Sequence, residues 1–397
     1  MRLIGAILLS LAAAFAQISV RGTNEGTNEY KVSPLRTEPR VAWETKTGYR
    51  DSGAIVSAAS VFVTGNTNGR GGVFGYDATT GRRLWSIPRH MRGEPATDGT
   101  AAYAVNDADS NQFRLIKIDP KSGRVLWAVQ EEDLGNHDAA PLVADGRVFL
   151  SSRNGKLSAF DAGTGKVLWE LAGTQVCSPS LAYGEGELYF SGGVKGSADK
   201  LTALDPATGK ALWSTSAKSD NRPVCTSAVV ASSGIVVATA EHEVFAFDAK
   251  SGAQVWKQTV ARTENGRTAR PALHELTLTE GVVYTSMKFG IVGWKLGTGQ
   301  QVFEFAGRHV ADSRSLRMAA CGGVLYFLGN AELPPEKDLR GGWIYALDLA
   351  TKQILWKHHA SKPDQYNPDG TWSTQFVVPV NGGLVYENQG VLAKLTQ

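Results

Sequence analysis

Twelve arginine and histidine side chains with the chemistry to hold an anion lie outside the most regular apolar runs of this sequence: Arg50, Arg89, His90, Arg92, His137, Arg222, Arg267, Arg270, Arg308, His309, Arg314 and Arg317. A guanidinium presents a rigid fork of donors that matches a carboxylate or phosphate in two places at once. Gathered round one opening, such groups would bind an anionic small molecule or an acidic strip on a protein partner. Arg92, His137, Arg222, Arg270, Arg314 and Arg317 are the candidates carried forward. The competing arrangement pairs the arginines with Asp51, Glu94, Asp138 and Glu275 and only ties loops together. Tyr366 and Trp372, in SKPDQYNPDGTWSTQ (361–375), could stack on a flat ligand, anchor a partner or pack their own loop.

Other chemistry is thinly represented. Cys177, Cys225 and Cys321 are too few for a disulfide framework. Cys177 and Cys225 fall at equivalent places in successive repeats, so a bridge and two buried thiols are both open readings; Cys321 reads as core. GTGK (163–166) lacks the upstream glycine and the following Ser or Thr of a phosphate loop. His274-Glu275 is not followed by the second histidine of a zinc helix, and NDADSNQ (106–112) lacks the spacing of a calcium loop. No metal site is expected.

The chain has 397 residues, 20% of them charged, and a formal net charge of +3. That balance argues against a nucleic-acid surface and against disorder, so recognition charge must be local. MRLIGAILLSLAAAFAQ has a basic residue, a short apolar core and the small-x-small pattern Ala14-Phe15-Ala16, which reads as an export signal over 1–16. No other stretch is long and apolar enough to span a bilayer, and no cysteine follows the signal to take an acyl anchor. The expected product is a periplasmic or secreted monomer without a transmembrane segment. Residues 17–38, rich in Thr, Asn, Glu and Gly, read as a flexible leader.

What must position these side chains is a repeat. VFGYDATTGRRLW (73–85), LIKIDPKSGRVLW (115–127), LSAFDAGTGKVLW (157–169), LTALDPATGKALW (201–213), VFAFDAKSGAQVW (244–256), IVGWKLGTGQQVF (291–303) and IYALDLATKQILW (344–356) recur every 42 to 53 residues. Each describes a hairpin in which the Asp side chain accepts hydrogen bonds from the turn and the Gly four residues on takes a positive φ. Two further strands lie between copies, as in SPSLAYGEGELYFSG (178–192), so each repeat has four strands and no helix. Strands such as Val167-Leu168-Trp169, without polar alternation, are expected to be covered on both faces. GVLAKLTQ (390–397) is half of an eighth hairpin and RVAW (40–43) is the missing Trp strand. The expectation is an all-β, eight-bladed propeller over 39–397, closed by strands from both termini.

The phrase A-x-D-x-x-T-G-x-x-x-W resembles the tryptophan-docking repeat of the quinoprotein-like propellers, a family that includes pyrroloquinoline-quinone dehydrogenases and the BamB outer-membrane assembly propeller. The resemblance implies that Trp43, Trp85, Trp127, Trp169, Trp213, Trp256, Phe303 and Trp356 dock between neighbouring blades. Copies six and seven depart from the phrase with Lys295 for Asp, Phe303 for Trp and Lys352 for Gly, and their hairpins are expected to be the least regular. The dehydrogenase branch implies a quinone held between a Trp and a disulfide of adjacent cysteines, with calcium on Glu, Asn and Asp and a further Asp as base. This chain has no Cys-Cys pair. The assembly branch implies a non-catalytic scaffold for an envelope protein.

The reading adopted is an exported, non-catalytic propeller that binds an envelope protein or an anionic small molecule, with no nucleic acid and no cofactor. The alternative is a quinoprotein dehydrogenase, or a relic of one, that uses pyrroloquinoline quinone and calcium. On this reading, removing 390–397 lowers the melting temperature sharply and removing 17–38 leaves it unchanged, a pair of thermal melts that decides whether the termini close the ring.

Overall fold

A computed structural model of the chain describes residues 29–47, 50–57, 60–67, 70–89, 91–107, 113–131, 141–152, 155–195, 201–219, 222–223, 228–264, 267–287, 290–307, 310, 318–329, 342–360, 374–388 and 390–397. All regular structure among them is strand or turn. β1 (Arg40–Lys46) precedes blade one, which is β2 (Arg50–Ser57), β3 (Ser60–Thr67), β4 (Arg70–Asp77) and β5 (Arg83–Ile87). Blade two is β6 (Met91–Thr97), β7 (Ala102–Asp107), β8 (Phe113–Ile118) and β9 (Val125–Glu131). Blade three is β10 (Leu142–Ala144), β11 (Arg147–Ser151), β12 (Lys156–Asp161) and β13 (Val167–Ala172). Blade four is β14 (Gln175–Gly184), β15 (Glu187–Gly193), β16 (Leu201–Leu204) and β17 (Ala211–Thr215). A two-stranded hairpin, β18 (Lys218–Ser219) and β19 (Arg222–Pro223), leads to blade five, which is β20 (Ala228–Ser232), β21 (Ile235–Ala240), β22 (Glu243–Asp248) and β23 (Gln254–Thr259). A second hairpin, β24 (Arg262–Glu264) and β25 (Arg267–Ala269), leads to blade six, which is β26 (Leu273–Thr279), β27 (Val282–Met287), β28 (Gly290–Lys295) and β29 (Gln301–Ala306). Blade seven is β30 (Met318–Cys321), β31 (Val324–Gly329), β32 (Trp343–Asp348) and β33 (Ile354–His359). Blade eight takes β34 (Thr374–Val380), β35 (Gly383–Asn388) and β36 (Val391–Thr396) from the C-terminal side and completes its sheet with β1. The ring is therefore an eight-bladed propeller closed by antiparallel pairing of Arg40 with Thr396 through Lys46 with Val391.

Each blade is fixed to the next by its outer-strand aromatic. The indole N–H of Trp169 donates to the Pro206 carbonyl at 2.9 Å, in the hairpin turn of the following blade. Trp43, Trp85, Trp127, Trp213 and Trp256 make the same bond to Ala78, Pro120, Ala162, Ala249 and Leu296. The receiving turn is built as its sequence requires. Asp161 Oδ1 accepts from the Thr164 N–H and hydroxyl, both at 2.7 Å, and Gly165 adopts φ +75°. A Cβ at Gly165 would also lie 2.9 Å from the Trp127 ring, so this glycine is required twice, by the turn and by the docked indole.

Within its own blade each docking aromatic sits opposite Gly75, Lys117, Ala159, Ala203, Ala246, Gly293, Ala346 or Lys394. Six of the eight are Ala or Gly, which leaves room for the ring. The two lysines extend past it instead: Lys117 Nζ reaches the Ala162 carbonyl that Trp127 also uses, and Lys394 Nζ reaches the Ala78 carbonyl used by Trp43. The ladder slips by one residue just before every docking aromatic, and the skipped residue is Ala42, Leu84, Leu126, Leu168, Leu212, Val255, Val302 or Leu355. Such a bulge turns the following side chain towards the next blade and twists the outer edge away from foreign strands.

Three expectations are corrected. Val167 and Leu168 are not covered on both faces; each is 46% exposed, because the bulge lifts this end of the outer strand to the rim. The hairpins of copies six and seven keep the same backbone bonds as the others, Gly299 N to Lys295 O and Lys352 N to Asp348 O, both at 2.9 Å. The turn is closed by its backbone, and the Asp side chain adds to a loop that already holds. The third concerns 17–38. Its described part, 29–38, is not a free leader: Tyr30 and Leu35 are buried, and Trp356 donates to the Leu35 carbonyl at 2.8 Å. Blade eight has no covalent hairpin turn at this place, since its β36 and β1 are the two ends of the chain, and the N-terminal segment supplies the carbonyl instead. Removing 29–38 is therefore expected to lower the melting temperature too.

Phe303 and Lys352, which depart from the phrase in different copies, meet at one interface, with Lys352 Nζ 5.3 Å from the centre of the Phe303 ring. The smaller ring leaves space for the lysine's Cβ where a glycine otherwise lies under an indole. Phe303→Trp alone is expected to cost about 1–3 kcal/mol by overpacking against Lys352, and adding Lys352→Gly to recover most of it. Denaturant melts of the two single variants and the double variant measure the coupling; additive effects would disprove the pairing.

Candidate functional site

Antiparallel meanders send alternate connections to opposite ends of the ring. The docking turns occupy one end, the turn end. The other, the connection end, carries the links from an outer strand to the next blade, and of the anion-binding candidates Arg89 and Arg270 are described there as exposed. Arg92 lies in β6 and Arg222 in β19, with their side chains outside the described residues. Arg270, just beyond β25, is exposed. His137, Arg314, Arg317, Tyr366 and Trp372 lie outside the described residues, as does the question of a Cys177–Cys225 bridge. Cys321 is a buried free thiol, and burial pushes its pKa up to about 11.

Two features of this end were not anticipated, the hairpins β18–β19 and β24–β25. The Asn265-Gly266 pair between Glu264 and Arg267 is the sequence signal for the second; no comparable dipeptide marks the first. The first hairpin is moored by blade five. Lys257 Nζ bonds the Lys218 carbonyl at 2.9 Å and Glu243 Oε1 at 2.7 Å, while Thr259 donates to the same carboxylate at 3.2 Å. Burial would raise the Glu243 pKa, but the bonds from Lys257, Ser219 and Thr259 outweigh it and hold the carboxylate ionised. Lys257 is consumed by this network, whereas Lys195, Lys218 and Arg270 present exposed charge. In blades eight, three, five and seven the outgoing chain is tied at the same end by a backbone bond back to the second turn of its own sheet, Thr47 to Gly390, Thr174 to Gly155, Val260 to His242 and Ala360 to Gly342. The result is a stiff platform for divergent connections.

Among the described residues no group of three or more His, Cys, Asp and Glu comes together. The chain has no pair of adjacent cysteines, the feature that the dehydrogenase resemblance implies beside a quinone. No described helix is long and apolar enough to cross a membrane.

The sequence pattern of the family described as outer membrane protein assembly factor BamB matches residues 31–172 and 112–358, well over half of the chain. The chain belongs to this family. Among solved structures, the BamB of Moraxella catarrhalis is 16% identical with a TM-score of 0.64 over 90% of this chain and 100% of that one. Quinohemoprotein alcohol dehydrogenases share the propeller as well. ADHIIG from Pseudomonas putida HK5 is 13% identical with a TM-score of 0.68, and that of Comamonas testosteroni is 13% identical with a TM-score of 0.63. Each covers 96% of this chain, and 80% of the dehydrogenase is matched in both cases. These likenesses show the fold alone. No curated protein sequence matches the chain.

In the BamB-family ring a half-buried histidine, His358, lies where blade seven meets blade eight. His358 lies 3.4 Å from the Tyr386 hydroxyl, and burial, helped by neighbouring His359 and opposed by Glu44, lowers its pKa. The turn carboxylates Asp77, Asp119, Asp161, Asp248 and Asp348 are likewise lowered, chiefly by hydrogen bonds from their own turns. In both cases the unfolded chain binds protons first as pH falls, so stability present at neutral pH is lost on acidification. The melting temperature is expected to fall in two stages, below about pH 6.5 from His358 and below about pH 4 from the aspartates. His358→Gln should flatten the first stage only, as calorimetry across pH will show.

Proposed function

We propose that this chain is a non-catalytic binding scaffold of the bacterial envelope that holds a protein partner on its connection end. The carrying observation is an asymmetry. The turn end is spent on docking one blade to the next, whereas the connection end bears two additional hairpins with exposed Lys218 and Arg270 on a laced platform. β31 and β33 of blade seven also end at this face, and the sequence that follows β33 contains Tyr366 and Trp372. Membership of the BamB family supports a partner that is a protein in the envelope. The cationic groups favour an acidic strip on it.

Photo-cross-linkers placed singly at Lys218 and Arg270 are expected to capture one envelope protein, while linkers at Arg83 and Lys210 on the turn end capture none. Lys218→Glu with Arg270→Glu should weaken that capture by roughly tenfold and reduce its salt dependence. Capture from the turn end alone would overturn the assignment. Saturable binding of pyrroloquinoline quinone with calcium, together with dye-linked alcohol oxidation, would replace the scaffold with an enzyme.

A further inference from the structure

The turn end carries one surface unlike the rest, and it is independent of the scaffold reading. Residues 29–36 cross blade seven from its innermost strand to its outermost. Glu29 forms a parallel bridge with Ala320 and accepts the Thr279 hydroxyl at 2.6 Å, and Tyr30 N–H donates to the Ala320 carbonyl at 2.8 Å. The Val32 carbonyl accepts from Cys321 Sγ at 2.7 Å, and Pro34 rests on Gly322, where a Cβ would come within 3.0 Å of the proline ring. The Leu35 peptide is gripped from both sides: its N–H donates to the Tyr326 hydroxyl at 2.7 Å, and its carbonyl accepts from Trp356. Arg36 then closes on the Asp348 carboxylate and the Gly322 carbonyl, both at 2.7 Å.

These contacts read like a peptide in a groove. Backbone bonds supply affinity, a buried leucine and the arginine–carboxylate pair supply selectivity, and proline contributes stiffness. At six other interfaces the docking Trp meets a covalent hairpin turn that cannot leave. Here it meets a linear segment, followed by exposed Arg36, Thr37 and Glu38 before β1 begins. The segment can therefore swing away while the β1–β36 ladder stays intact.

We propose that the groove across blade seven is a recognition site for an extended protein segment of the pattern Tyr-x-x-x-Pro-Leu-Arg, occupied in cis by residues 29–36 and open to the same pattern offered in trans. The cis segment acts as a resident competitor, so a partner binds in proportion to how often the strap is open. Asp348 sets the charge requirement, and a segment with an acidic residue in place of the arginine is refused.

Cys321, beneath the strap, reports the opening. Full-length protein is treated with N-ethylmaleimide and modification at Cys321 is followed by mass spectrometry, with and without the synthetic peptide EYKVSPLRTE. Leu35→Ser with Arg36→Glu is expected to speed labelling by at least roughly tenfold, and saturating peptide to restore the slow rate. The peptide EYKVSPSETE should not protect. Should the double variant fail to fold, Asp348→Asn leaves the strap sequence intact and is expected to speed labelling while weakening protection by the peptide. Double-variant labelling that EYKVSPLRTE does not slow, or Asp348→Asn labelling no faster than that of the wild-type protein, rejects the groove.

Discussion

One indole N–H, given to one carbonyl in the turn of the next blade, is the contact on which this ring depends. A propeller sheet has no chain of its own holding its face to the next, beyond the connection at one end. The tryptophan supplies the missing tie at the other end, with a large apolar body to fill the wedge and a single donor to fix its orientation. Much else follows from seating that ring. The turn glycine cannot carry a side chain, the residue opposite is small or extends past the ring, and the strand bulges to aim the indole outwards from its sheet. Where Phe303 takes its place the donor is lost, and Lys352 fills the relaxed space with its stem and a cation over the ring.

The same constraint explains how the ends of the chain are used. Closing a ring with β1 beside β36 covers the edge that β36 would otherwise expose but also divides the hairpin of blade eight. The docking Trp356 is then left without a turn to bond, in an interior where an unmade hydrogen bond costs about 1–3 kcal/mol. Residues 29–36 answer that need, and Arg36 ties them to Asp348, the turn aspartate of blade seven. The segment lies near the start of the sequence, and its partners in blade seven lie about three hundred residues on.

Docking constrains residue type at the turn end, and the other end is free of that demand. Additional hairpins and the longest connections all leave from the end where blades are linked by chain and need no indole. The lacing bonds there involve only backbone, which places little demand on residue type. A binding surface can diverge on such a platform without loosening the ring, and the dehydrogenases that share the fold show that the ring does not fix the chemistry.

The repeat phrase by itself determined the class, the blade count, the turn geometry and the closure by both termini, because each of these follows from local pattern and spacing. Asp161, Gly165 and Trp169 take their roles from the local pattern alone. Of the candidate site, the sequence marked which arginines fall between the repeat phrases, and among the described residues Arg270 is exposed just beyond β25. What only the tertiary structure decided depends on groups far apart in the chain. Nothing local in EYKVSPLR announces that Leu35 will stand in for a turn, since Trp356, Tyr326 and Asp348 make it one. Nor does either copy alone show that Phe303 and Lys352 are a single compensated contact. Docking is a property of pairs, and pairs formed across the ring are written in neither partner's neighbourhood.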